Sequence, residues 1–162
     1  MAIKMHCLSP KVATLLASEG WAPGRRVDIL SASDQLECRG ISVSSAAAAF
    51  LSEFEGLTIH TRGGLFHLGT QDCATHLLDD DIPFLRRITG EPLCPVGHGL
   101  FLWLLISATG DFILLNSHWQ RYLRCHDLND ALELLFVPET PRRPFVELEP
   151  ECWPPGYQPI DD

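Results

Sequence analysis

Gly20-Trp21-Ala22-Pro23-Gly24-Arg25-Arg26-Val27-Asp28 is the most informative stretch of this chain, because it joins an amphipathic segment to a tight turn. Upstream of it, Ser9-Pro10 predicts the start of a helix, with the serine as cap and the proline at the first helical position. The helix is expected to end at Gly20. We expect Trp21 to pack back onto this helix and Pro23-Gly24 to form the turn.

Two further helices are predicted downstream of this turn. One runs over residues 33–39 and is closed by Gly40, and the other runs over residues 46–55 and is closed by Gly56. The side chains that we expect on the inward face of the latter are Ala49, Phe50 and Phe54. The first third of the chain is therefore predicted to be helical.

The periodicity then changes from helical to alternating. Residues 57–61 and 65–68 predict two strands joined by a turn at Gly63-Gly64. A helix over residues 81–89 follows and stops at Gly90. The order of elements is typical of an α+β domain.

The clearest hairpin lies in the next part of the chain. Residues 100–107 predict one strand, Thr109-Gly110-Asp111 the turn, and residues 112–115 the partner strand. The continuous apolar run of the first strand indicates burial on both faces, so we expect it near the centre of its sheet. A further strand is predicted over residues 119–123, and Asp127 caps a last helix.

Length and composition favour one globular domain. The chain has 162 residues, of which 46% are hydrophobic and 20% are charged. Residues 138–162 differ, since they contain seven of the twelve prolines together with several acidic residues. We therefore predict a domain over residues 1–137 and a proline-rich acidic tail that is partly docked or mobile.

These motifs, taken in order, resemble those of the SUKH superfamily, and most closely its third immunity-protein family, SUKH-3. The motifs that carry the resemblance are the Gly20 to Asp28 stretch, Phe50-Leu51-Ser52-Glu53-Phe54-Glu55-Gly56-Leu57, Pro95-Val96-Gly97, the hairpin around Gly110, and the helix from Asp127 through Ala131-Leu132. The resemblance covers about residues 9–137. One departure is Glu55, where relatives usually have glycine; another is the lack of an aspartate shortly before Gly110.

The resemblance implies a fold and a function. It implies a single α+β domain with a mixed or antiparallel sheet flanked by helices. It also implies a cytoplasmic immunity protein that binds a cognate polymorphic toxin, a nuclease or a deaminase, and neutralises it by stoichiometric blockade. No catalysis by the immunity protein is implied.

The charge balance agrees with a protein partner. Twelve basic and twenty-one acidic residues give a formal net charge of −9. Nucleic-acid binding depends on Lys and Arg neutralising phosphates, so this charge disfavours a nucleic-acid ligand. A basic protein domain would be attracted. The chain has no apolar run near the roughly 18 residues that a membrane helix needs, and residues 1–7 do not form a secretory signal, so we expect a soluble cytoplasmic protein.

Metal and nucleophile patterns are weak. Six cysteines lie without a Cys-x-x-Cys pair, and we expect free, mostly buried thiols. Four of them have a histidine nearby, in the pairs His6-Cys7, Cys73 with His76, Cys94 with His98, and Cys125-His126. The spacings match no zinc motif, so the sequence predicts no metal ligand set, no cofactor and no enzyme.

Six residues are the candidates for contacting a partner. The acidic ones would complement a basic toxin domain, while the tryptophan lies among polar residues and is expected at the surface. These candidates are Asp79, Asp80, Asp81, Trp119, Glu149 and Glu151. The three aspartates also suit a helix start.

Two other functions remain open on the sequence. One is a regulatory, scaffolding or viral host-interaction protein that uses the same fold and would bind a host protein. The other is a small zinc protein or hydrolase that uses the cysteine and histidine residues. The oligomeric state is not predicted.

Overall fold

A computed structural model describes residues 8–157. Within this range the chain forms six α-helices and one seven-stranded antiparallel sheet, which confirms the predicted α+β class. The helices are α1 (Pro10–Ser18), α2 (Leu30–Glu37), α3 (Ser45–Phe54), α4 (Gln71–His76), α5 (Ile82–Thr89) and α6 (Leu128–Phe136). The strands are β1 (Leu57–Thr61), β2 (Gly64–Leu68), β3 (Leu93–Gly99), β4 (Leu102–Ser107), β5 (Phe112–Asn116), β6 (Arg121–Cys125) and β7 (Val146–Glu147).

The helix ends follow from local side-chain chemistry. Ser44 Oγ accepts the backbone N–H of Ala47 at 3.1 Å and caps α3, and Asp127 Oδ1 accepts that of Asp130 at 2.8 Å and caps α6. Gly90 ends α5 with a φ of 82°, a left-handed conformation that glycine adopts at little cost. The predicted caps and stops at these positions are confirmed.

The sheet is a meander in which each strand pairs with the next one in sequence. One face packs against α3 and α6, through Phe50 against Phe112 with ring centroids 6.0 Å apart and Phe66 against Phe136 at 5.5 Å. Strand β4 is the fourth of seven and is buried along nearly its whole length. The prediction that its apolar run is central is confirmed.

The opposite face of the sheet is covered in part by α4. The rings of His98 in β3 and Trp103 in β4 are in contact, with centroids 4.1 Å apart and planes tilted by 38°, and the His76 ring of α4 lies 4.9 Å from that of His98. Leu105 and Leu115, which alternate onto this face, are fully buried. The core therefore has two layers, one on each face of the central strands.

Strand β3 was not predicted, because its sequence contains residues that usually weaken strands. Pro95 and two glycines interrupt the pattern, and the ladder with β4 shifts register between Pro95 and Gly97. Gly99 is required by close packing, since a Cβ there would lie 2.3 Å from the carbonyl oxygen of Leu65. The short helix α4 was not predicted either.

Three predicted placements are wrong in detail. Strand β4 begins at Leu102 and not at residue 100, because Leu100 and Phe101 form the preceding turn. Ala49 is exposed, since the buried face of α3 is formed by neighbouring positions such as Ala47 and Phe50. Helix α2 spans Leu30–Glu37 and not residues 33–39. The Trp21 ring stacks on Phe54 of α3 with ring centroids 6.3 Å apart, and its backbone N–H donates to the Leu16 carbonyl of α1 at 3.0 Å.

The described part of the tail, residues 138–157, contacts the domain. Strand β7 pairs with β6, Leu148 is buried, and Trp153 Nε1 donates to the Leu148 carbonyl at 3.3 Å. Arg87 of α5 donates to the Glu151 carbonyl at 2.9 Å. A boundary at residue 137 stays a prediction, and residues 158–162 lie outside the described range.

Candidate functional site

The turn between β3 and β4 is the most unusual surface of the molecule. Gly99 pairs with Leu102, so Leu100 and Phe101 alone form the loop. Their φ angles are 51° and 60°. Two-residue hairpin loops with positive φ at both positions are type I′ turns, which strongly prefer Asn-Gly and similar pairs. Here both positions carry bulky apolar side chains.

The side chain of Phe101 is 81% exposed at the tip of this turn. The side chain of Leu100 lies against the β1–β2 turn, with its Cδ2 at 3.5 Å from the position of a Cβ on Gly63. The Phe101 carbonyl accepts the backbone N–H of Ser117 at 2.8 Å, which anchors the loop. The aromatic ring is therefore presented to solvent from a fixed backbone. We call this surface, Leu100 and Phe101, the apolar tip.

A groove runs from the apolar tip across the end of the domain. Helices α1 and α6 and the β1–β2 turn form its walls, and its lining includes Leu15, Arg62, Leu134, Glu139 and Arg142. Glu139 at its rim lies 3.6 Å from the ammonium group of Lys11. The rim therefore carries charges of both signs around an apolar floor.

The three predicted aspartates do not share one environment. Asp79 and Asp80 are exposed, and Asp79 pairs with Arg39 at 2.8 Å. Asp81 is only 2% exposed, and its Oδ2 faces the backbone N–H of Leu78 at 3.4 Å. Burial raises the pKa of Asp81 from its ordinary value. Surface contact by Asp81 is therefore excluded in this conformation, since its carboxyl group faces inward at the start of α5.

Glu149 and Glu151 are exposed on the described part of the tail. Glu149 precedes the 3₁₀ turn Pro150–Cys152 and Glu151 lies within it. This turn contacts α5 through the Arg87 hydrogen bond to the Glu151 carbonyl. These two glutamates, with Asp79 and Asp80, remain predicted contacts. We call these four residues the acidic set.

The prediction that Trp119 lies at the surface is wrong. Its side chain is fully buried, and its ring centroid lies 6.3 Å from that of Tyr157 in the tail. The residue has a φ of 58° in the turn before β6. His118 and Arg121, which lie close to it in sequence, are exposed, whereas the indole is turned into the protein.

The motif that carried the family resemblance has a structural role. Trp21 Nε1 donates to Glu53 Oε1 at 3.0 Å, and the Arg25 guanidinium donates to the carbonyls of Glu53 at 2.5 Å and Glu55 at 2.9 Å. Arg25 thus satisfies carbonyls at the C-terminal end of α3, which have no partners within the helix.

Glu55, where the resemblance to SUKH-3 leads one to expect glycine, also has a structural role. Its carboxylate accepts both the N–H and the hydroxyl of Thr70, at 3.0 Å each. Burial raises its pKa, which the hydrogen bonds from Thr70 partly offset. Gly69 makes room for it, since a Cβ there would lie 2.6 Å from Glu55 Oε2.

The described cysteines are free, as predicted. Burial raises the pKa of Cys94 and that of Cys125 to about 12, and it raises the pKa of Cys73 well above its ordinary value. A thiolate nucleophile at these positions is therefore strongly disfavoured. Cys38 is exposed and Cys152 is partly exposed.

Two of the predicted cysteine–histidine pairs contribute their histidines to one cluster. His76 and His98 meet Asp72, with Asp72 Oδ2 at 2.6 Å from His98 Nδ1 and Asp72 Oδ1 at 3.4 Å from His76 Nδ1. The cysteines of both pairs lie outside the cluster. The spacing of Asp72 and His76 at i and i+4 could have indicated two members of this cluster. That His98 lies beside them could not be predicted from the sequence.

The apolar tip could not be predicted from the sequence, because Leu100 and Phe101 continue an apolar run that is typical of a buried strand. The molecule is thus an α+β domain with an exposed aromatic side chain at the apolar tip. Residues 8–137 match the family described as SUKH-3 immunity protein. The chain therefore belongs to the SUKH-3 immunity protein family, which confirms the resemblance, and toxin immunity is the function that this family implies.

No curated protein and no solved structure matches the chain. Within residues 8–157, no helix has the length and apolar character that crossing a membrane requires.

Proposed function

We propose that this protein neutralises a cognate toxin domain in the cytoplasm by stoichiometric binding, without catalysis, and that the apolar tip is the anchor of that contact. The observation that carries the proposal is Phe101, an aromatic side chain 81% exposed on a loop whose backbone disfavours it. Membership of the immunity family supports a toxin as the occupant of this surface.

The energetics of the tip favour a binding role. A non-glycine residue at positive φ costs on the order of 1–3 kcal/mol, and Phe101 recovers little of this in the free protein because its ring is mostly in water. Burying the ring in a partner would contribute about 1.5–3 kcal/mol. Aromatic anchors in desolvated pockets carry much of the free energy of known interfaces.

The shape of the tip suits a concave target. Active sites of enzymes are clefts, so a rigid convex hairpin with an aromatic end can enter one and exclude substrate. The anchored backbone lowers the entropy that ordering the loop on binding would cost. This supports blockade of an enzyme toxin, and we propose a nuclease or a deaminase.

Charge supports a basic partner. A toxin domain that binds nucleic acid needs Lys and Arg at its surface. The net charge of −9 on this chain attracts such a basic domain. We assign this attraction to the acidic set, which is exposed. Such rim charges act mainly on the association rate, which matters where a toxin must be captured before it acts.

The test uses the toxin domain encoded alongside this protein. Co-expression should rescue growth, and the purified pair should form a 1:1 complex. Phe101→Ala should weaken binding by about 30-fold or more, the loss expected for an anchor of about 2 kcal/mol, and should reduce rescue. Leu30→Ala is the matched control, because Leu30 is an apolar side chain 66% exposed on α2.

Two results would contradict the proposal. If the toxin is not bound or is not inhibited, the immunity function of this pair fails. If the toxin is bound and inhibited but Phe101→Ala and Leu30→Ala behave alike, the function stands and the assignment of the apolar tip fails.

A further inference from the structure

The cluster of Asp72, His76 and His98 lies apart from the apolar tip and is not needed for the contact proposed there. Each of the three side chains offers a ligand atom, and these atoms lie within 4.8 Å of one another. We propose that these residues bind one divalent transition-metal ion of the zinc type.

Helix α4 places two of the ligands on one side. Asp72 and His76 are four residues apart, so their side chains lie one above the other on the same helix face. Asp72 Oδ1 is 3.4 Å from His76 Nδ1, close to the separation of two ligand atoms around a tetrahedral ion with bonds near 2.0–2.2 Å. His76 Nδ1 also lies 3.0 Å from the Asp72 backbone carbonyl oxygen, so the exposed imidazole has to turn away from that carbonyl to bind an ion, while the helix backbone can stay in place.

Strand β3 supplies the third ligand through its bulge. In the ladder with β4, Pro95 pairs with Leu105 and Gly97 with Leu104, so Val96 is an extra residue. Side chains alternate along a strand, and one extra residue reverses the faces of those that follow. Without the bulge, His98 would point to the same face as Cys94; with it, His98 points toward α4. Bulges that re-aim a side chain in this way are frequent at functional sites.

The position of His98 is further fixed by its neighbours. Its ring contacts that of Trp103 with centroids 4.1 Å apart, and its Nδ1 lies 2.6 Å from Asp72 Oδ2. The His98 side chain is 15% exposed and that of Asp72 is 21% exposed, whereas His76 is 52% exposed. The site is thus closed on the side of the sheet and open to solvent beside His76, where water can complete the coordination.

The ligand types select the class of ion. Two imidazoles and one carboxylate suit zinc and neighbouring transition metals, whereas Ca²⁺ and Mg²⁺ prefer sets made of oxygen atoms. The thiols that the sequence places beside these histidines are turned away. Cys73 Sγ donates to the Gly69 carbonyl at 3.3 Å in the core, and Cys94 lies on the opposite face of the sheet. This assignment revises the prediction that the chain has no metal ligand set.

The test titrates Zn²⁺ into the full chain without an affinity tag, by calorimetry, and follows histidine side-chain nitrogen shifts by NMR. One ion per chain should bind, and the nitrogen shifts of His76 and His98 should move. His76→Ala and Asp72→Asn should each weaken binding by at least about tenfold. His76→Ala removes a largely exposed side chain, so the fold should persist, as thermal unfolding can verify.

A matched control comes from His60, whose Nδ1 lies 3.1 Å from a Glu19 carboxylate oxygen. Among residues 8–157 no third ligand lies beside this exposed histidine, so His60→Ala should leave the affinity for Zn²⁺ unchanged. Binding of much less than one ion per chain would overturn the proposal. Equal losses for His60→Ala and His76→Ala would also overturn it, because they would indicate weak surface binding.

Discussion

Strand β4 has a tight turn at each end, and the two turns are built from opposite kinds of residue. The β4–β5 turn has Gly110 at a φ of 94°, and the Ser107 hydroxyl accepts the Asp111 N–H at 3.0 Å. The β3–β4 turn has Leu100 and Phe101 at positive φ, with the phenyl ring in solvent.

The difference indicates which of the two turns is explained by the requirements of folding alone. Local preferences select glycine and polar side chains for such turns, and the β4–β5 turn follows them. Departures from local preference that are not compensated within the fold concentrate at functional sites. The same strand therefore ends in one turn whose residues are explained by the fold and in another whose residues are explained by the proposed contact with a partner.

The largest predicted effect tests how closely β3 packs against β2 just before the β3–β4 turn. A Cβ on Gly99 would lie 2.3 Å from the Leu65 carbonyl oxygen and 2.6 Å from Phe66 Cα, so Gly99→Ala must separate β2 from β3. We expect a loss of about 3 kcal/mol in the free energy of unfolding. Gly110→Ala meets only the Ala46 methyl at 3.7 Å and should lose about 1 kcal/mol from its positive φ. Urea unfolding measures both, and equal losses would contradict the assigned crowding at Gly99.

The second prediction sets stability against binding at the apolar tip. Phe101→Gly removes the unfavourable φ and little buried surface, so the free energy of unfolding should rise by about 1 kcal/mol. Affinity for the toxin domain should fall by about 30-fold, because the anchor is lost. Thermal unfolding and calorimetry measure the two quantities. A variant that is less stable than the parent, or that binds equally well, would contradict the proposed exchange of stability for binding.

The third prediction concerns the polar turn. Ser107→Ala removes the acceptor of the Asp111 N–H and the partner of the Thr109 hydroxyl at 2.9 Å. Because Ser107 is fully buried, we expect a loss of about 1 kcal/mol in the free energy of unfolding. Toxin affinity should not change. A clear loss of affinity in this variant would mean that both turns contact the partner, and the comparison would fail.

Those elements of the fold were predictable from the sequence whose pattern of residues has a single local explanation. Helices with a glycine stop, such as α1 and α5, were predicted close to their observed ends. Strand β3 was missed because Pro95 and its glycines disfavour a strand unless the bulge and the close approach to β2 are known. Both are tertiary features.

The candidate sites were less predictable than the fold. The exposure of the acidic residues followed from their charge, except at Asp81, whose burial depends on packing at the start of α5. Phe101 and the Asp72 cluster could not be found from the sequence. The first depends on where a strand begins, and the second on the face to which a bulge turns His98.

The smallest predicted effect distinguishes charges that speed the association with the toxin from residues that hold the toxin once it is bound. Neutralising two members of the acidic set, with Glu149→Gln and Glu151→Gln together, should lower the association rate with a basic toxin about threefold at low salt. The dissociation rate should be unchanged, because exposed rim charges act on encounter. The effect should disappear at high salt, where the Debye length falls to about 3 Å. Asp34→Asn with Glu37→Gln removes the same charge from the exposed surface of α2 and is the control. Stopped-flow association at two salt concentrations measures the rates. If both pairs of variants slow association equally, the net charge of −9 attracts the toxin as a whole, and the acidic set has no special position.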